Sequence, residues 1–132
     1  MNRTSVITGI IFIVFAIILG AFGAHALKEK LEATQLNSFE VGVRYQMYHG
    51  LALLAVGFAA NQINFSLKFF NRMIIGGTIA FSLSIYLLAI QDFIGIKLSF
   101  LGPITPIGGS ILIIAWVVLL VKFIRSKPNQ AA

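Results

Sequence analysis

The chain has 132 residues, of which 58% are hydrophobic and 11% charged, with no cysteine and a formal net charge of +6. An ordinary soluble domain carries about 25% charged residues, so this composition excludes a water-soluble globule. Without cysteine a disulfide framework, a thiolate metal site, a cysteine nucleophile and S-acylation are excluded as well. The basic excess lies in or beside the links between apolar runs, where attraction to anionic headgroups accounts for it and nucleic acid is not an expected partner.

Four apolar runs fill the chain: Val6 to Leu27, Val41 to Ala60, Met73 to Ile90 and Ile104 to Ile124. A bilayer core of roughly 30 Å needs about 20 residues of helix, and a helix is the single-segment solution that satisfies every backbone amide internally. The runs predict helices over 6–27, 38–60, 71–91 and 103–125. The fold class that follows is an all-α membrane protein, a compact four-transmembrane-helix bundle in a single polytopic domain over 1–132, with no room for a soluble module.

In the first run, Ala24, His25 and Ala26 imitate a signal cleavage site. The apolar stretch before them is longer than the roughly 7 to 15 residues of a signal peptide, so the segment is expected to stay as helix 1. Leu27 to Ala33 extends helix 1 or forms a short surface helix. Asn37 followed by Glu40 resembles a capping box and places the start of helix 2 near Ser38. The Asn61 to Arg72 link mixes Phe65, Phe69 and Phe70 with Lys68 and Arg72, as an interfacial segment does. Pro103 and Pro106 fall in the loop and first turn of helix 4, where a missing donor costs least.

With four spans, Arg3, Lys68, Arg72, Lys122, Arg125 and Lys127 share one side, and Lys28, Lys30, Arg44 and Lys97 the other. This bias predicts cytoplasmic termini. Small residues predict where helices approach: Gly9, Ala16, Gly20, Gly23 and Ala24 on helix 1, Gly42, Gly50 and Gly57 on helix 2, Gly76, Ala80 and Ser84 on helix 3, and Gly108 and Gly109 on helix 4.

Because successive helices alternate direction, the polar residues of the spans fall in one half of the bundle, the outer half in this orientation. They are His25, Tyr45, Gln46, His49, Tyr86, Asp92 and Thr105. Intramembrane polar groups are costly and face the protein interior. Two readings stand side by side: hydrogen bonds that join helices, and a ligand-binding or proton-linked site built on His25 and His49. Two histidines without a carboxylate pair do not make a zinc site, and no triad or phosphate loop is present, so no metal, cofactor or catalytic residue is expected. Glu40 and Arg44 are placed for an ion pair, and Asp92 for one with Lys97.

LGAFGAHAL (Leu19 to Leu27), YQMYHGLAL (Tyr45 to Leu53), FSLSIYLLA (Phe81 to Ala89), and TPIGG (Thr105 to Gly109) followed by Trp116 resemble, in this order, the small membrane family called domain of unknown function 423, itself distantly similar to animal transmembrane protein 256. Leu83 stands where the family form FSGSLY has a glycine, so close helix approach is not expected there. The resemblance implies a multi-pass bacterial plasma-membrane protein and brings no substrate or reaction. The leading expectation is a structural or accessory component that contacts membrane lipids, as a homo-oligomer or in a larger membrane complex. The alternative is a binding or transport module for a lipid-like or small hydrophobic molecule, lined by the polar cluster.

Overall fold

A computed structural model describes residues 1–127 and is all-helical over them apart from short links; the last five residues of the expected domain lie outside the described residues. Helix α1 covers Arg3–Leu27, α2 Ala33–Ala59, α3 Lys68–Ile94 and α4 Ile104–Arg125. α1 ends in a π turn at Gly23–Leu27, and α3 carries one in its middle at Ile79–Leu83. α1, α3 and α4 are long and apolar enough to cross a membrane. α2 is as long but carries Glu40, Arg44, Gln46 and His49, which lower its mean hydropathy.

α1 packs along α2, α4 along α3, and α2 meets α3 between the two pairs. The larger core holds Phe12, Leu53, Phe70, Ile74, Leu112 and Ala115; a smaller one joins Leu27, Leu31, Phe39, Tyr86 and Ala89 at the other end. One end is tied by Asn2 N donating to Gly57 O (2.8 Å), by Lys122 Nζ on Ser66 O (2.8 Å) and by Asn64 Nδ2 on Lys127 O (3.0 Å).

Glycines set the close approaches. A Cβ at Gly9 would stand 2.7 Å from Gly50 O, and one at Gly57 2.8 Å from Val6 Cγ2, so α1 and α2 touch nearly backbone to backbone. At Gly108 a Cβ would lie 2.5 Å from Phe81 N and 3.0 Å from Ala80 C, which seats α4 against the π turn of α3. Gly23 leaves room for the Phe39 ring, while Gly20 and Gly109 make ordinary contacts with Val43 and Phe81.

Several expectations are corrected. α2 begins five residues earlier than 38, because Glu32 and Gln35, not Asn37 and Glu40, form the reciprocal cap, and Leu36 and Phe39 then continue its apolar face onto the smaller core. α1 starts at Arg3 rather than 6, since Asn2 Oδ1 accepts from Ser5 N (3.1 Å). α3 spans Lys68–Ile94 rather than 71–91, closed by left-handed Gly95 (φ 71°). The residues after Leu27 form turns rather than more helix, although Leu27 and Leu31 are buried there. Gly76 does not pack: nothing lies within 4 Å of its Cβ position, and Gly77 instead faces Ile111 and Leu112. Ala24 is exposed. Asp92 accepts from Gln35 Nε2 (2.9 Å) instead of pairing with Lys97. Exposed Arg44 makes no side-chain hydrogen bond to Glu40 among the described residues.

Candidate functional site

Gln46 lies near the middle of α2 and is 8% exposed. Its carboxamide donates to the Phe12 carbonyl of α1 (2.9 Å) and accepts from the Tyr86 hydroxyl of α3 (2.8 Å). One side chain thereby joins three helices. The Tyr86 ring stacks obliquely on Phe39, centroids 5.0 Å apart, and packs where a side chain at Gly42 would otherwise stand. Ser82, in the π turn, donates to the Gly42 carbonyl (2.8 Å), a second bond between α3 and α2.

One turn further along α2, His49 is 6% exposed. Its Nδ1 is 2.6 Å from the Tyr45 carbonyl and its Nε2 3.1 Å from Trp116 Nε1 of α4. An indole nitrogen only donates and a carbonyl only accepts, so both contacts are hydrogen bonds in one state: neutral imidazole with the proton on Nδ1. Trp116 also meets Phe70 edge-on at 5.2 Å, which fixes the indole plane. A separate pair, Ser84 Oγ and Thr105 Oγ1 (2.7 Å), joins α3 to the first turn of α4.

Of the seven residues expected in one polar cluster, Gln46 and Tyr86 bond directly, His49 stands a turn away, Thr105 belongs to the separate serine–threonine contact, and Asp92 lies apart near the end of α3, bonded to Gln35. Tyr45 is 42% exposed, its ring 5.0 Å from that of Phe81. His25 is not part of the cluster: it sits exposed in the π turn that ends α1. In the same turn Gly23 and Leu27 are buried.

Three participants were not anticipated: the Phe12 carbonyl, Ser82 and the Trp116 indole. A backbone acceptor leaves no mark in the sequence. Thr78, Ser82 and Tyr86, however, repeat every four residues, a stripe as regular as the Gly76, Ala80 and Ser84 series. In an α-helix such a series drifts about 40° per step. The wider π turn winds more slowly and offsets the drift, which keeps Thr78, Ser82 and Tyr86 all buried, whereas in the small series Gly76 is exposed and Ser84 is buried against Thr105.

Two of the crevices between the helices border the hub. α1 does not pack closely on α3, nor α2 on α4. The α1–α3 crevice, about 240 Å³, has Ile11, Phe15, Ile79 and Leu83 as walls, and Gln46, Thr78, Ser82 and Tyr86 among its lining. The α2–α4 crevice, about 600 Å³, is lined by Tyr45, Tyr48, His49, Phe81, Trp116 and apolar residues of α4. Leu83, half exposed, borders the first, in keeping with the absence of close helix approach at this position.

Residues 19–109 match the family described as "Protein of unknown function (DUF423)". The chain is 37% identical over 119 residues to a UPF0382 membrane protein of Staphylococcus saprophyticus, covering 90% of this chain and 95% of that one. It is 36% identical over 125 residues to the UPF0382 membrane protein YwdK of Bacillus subtilis, covering 93% and 98%. A Staphylococcus aureus UPF0382 membrane protein is 38% identical over 116 residues, or 88% and 91%. No solved structure matches the chain.

Proposed function

The chain belongs to the DUF423 family of membrane proteins, and on that footing we propose that it is a four-span protein of the bacterial plasma membrane, with cytoplasmic termini and a structural or accessory role rather than a catalytic one. The fourth span is α2. It is the most polar helix because it lies between α1 and α3 and directs Gln46 and His49 into the protein. Its C-terminal end is hydrogen-bonded beside the N-terminus of α1, so two antiparallel helices of similar length cross together. Arg3, Lys68, Arg72, Lys122, Arg125 and Lys127 gather at that end, and the acidic Glu29, Glu32 and Asp92 near the other.

The observation that carries the structural role is the use made of the hub. Gln46 engages Phe12 and Tyr86, and His49 engages Tyr45 and Trp116, so the side chains that would serve a reaction are committed to holding helices together. Partners would be lipids and a second copy or larger complex; exposed Gly76, with open space at its Cβ position, lets another helix approach α3 there.

The test separates a joint from a titrating site. His49→Asn retains hydrogen-bonding capacity and is expected to keep most of the thermal stability in detergent, whereas His49→Leu strands the Trp116 donor and lowers it. Equal stability of both variants and the parent would overturn the structural role. The second reading, binding of a small hydrophobic molecule, is favoured by the two crevices.

A further inference from the structure

Three buried side-chain atoms have no hydrogen-bond partner among the described residues: Ser5 Oγ, Asn71 Oδ1 and Thr78 Oγ1. Thr78 is 1% exposed and belongs to the lining of the α1–α3 crevice. A threonine inside a helix commonly returns its hydroxyl to a carbonyl one turn back, yet this one does not. Gln46 lines the same crevice and offers a second donor, since a carboxamide has two N–H groups and the hub uses one, on Phe12. Two donors without an acceptor therefore border a cavity whose walls, Ile11, Phe15, Ile79 and Leu83, are apolar and partly exposed.

Depth narrows the ligand. Thr78 closes the 11-residue segment that begins at Lys68, so it lies about 15 Å along the helix from that end. With Lys68 at the headgroups, Thr78 is near the middle of a core roughly 30 Å thick. Phospholipid ester carbonyls sit at the boundary, and acyl chains bring no acceptor to the centre. We propose that the α1–α3 crevice binds a membrane-soluble carbonyl compound of the quinone type, its ring between Phe15 and Leu83 and one carbonyl oxygen on Thr78 Oγ1 and the free Gln46 N–H. This goes beyond the structural role proposed above and stands or falls separately from it.

The full chain in phosphatidylcholine nanodiscs is titrated with decyl-ubiquinone, with dodecane at equal mole fraction as the apolar control. Saturable thermal stabilisation by the quinone and none by dodecane is expected. Thr78→Val, which removes the hydroxyl and keeps the shape, should weaken apparent affinity about 5- to 10-fold, as loss of one hydrogen bond does, without lowering ligand-free stability. Leu83→Trp, at a half-exposed wall position, should abolish the response by filling the crevice, and it decides the matter if Thr78→Val does not fold. An equal response to dodecane, unchanged affinity in Thr78→Val, or a full response in Leu83→Trp would each overturn the proposal. So would a ligand-free protein more stable in diester than in diether lipid with no quinone response, which would assign the acceptor to lipid esters.

Discussion

At the scale of single residues, the imidazole of His49 is defined by what surrounds it. Trp116 can only donate and the Tyr45 carbonyl only accept, so ¹⁵N spectra of the protein at pH 8 should show a protonated Nδ1 and an unprotonated Nε2. Removing either side of the contact leaves the other unpaired. His49→Leu and Trp116→Phe should each destabilise the bundle, and the double variant should lose less than the sum. The coupling is expected at about 0.6 kcal/mol and at most about 1.7 kcal/mol, the average and maximum of such interhelical cycles, measured from melting or unfolding in detergent. Tyr45, Gln46, His49 and Tyr86 stood out in the sequence because polar side chains inside apolar runs are rare. Their partners did not, because a carbonyl such as that of Phe12 is equally present at every position, and His25 fulfilled the same rule of rarity while pointing outward.

Individual helices were legible to the extent that their apolar runs and ends follow local rules. The runs located all four, but α2 starts at Ala33 because two candidate caps lie five residues apart and tertiary packing of Leu36 and Phe39 selects the earlier. The π turn of α3 has no comparable local signal, and it shifts which small residues face a neighbour. This yields a paired expectation. Gly108→Ala would press a methyl group into the Phe81 backbone, which cannot yield as a side chain can, and should cost about 1 to 3 kcal/mol. Gly76→Ala meets open space and should be neutral or stabilising by up to about 1 kcal/mol, since alanine is the better helix former. Thermal melts of the two variants in one detergent check the order; a Gly76→Ala variant that is the less stable of the two would show that the helices meet elsewhere.

For the whole molecule, topology is testable by labelling because there is no native cysteine. Cysteines replacing Ser66 and Ser126 should be shielded from an impermeant thiol reagent in intact cells, and one replacing Thr34 should react; the reverse pattern would invert the orientation. The distribution of charge was readable from sequence, and the structure groups the ends as alternating helices require, with Asn2 at Gly57 and Lys122 at Ser66. The two crevices were not readable, since they arise from how helix pairs are offset, not from any residue type. One feature of this arrangement bears on biogenesis. α2, the least apolar helix, lies along α1 with its far end bonded to Asn2, and on its own it would expose Gln46 and His49 to hydrocarbon. Under the four-span topology proposed above, α2 is expected to insert as the second arm of a hairpin with α1, and deletion of α1 to leave α2 outside the hydrocarbon.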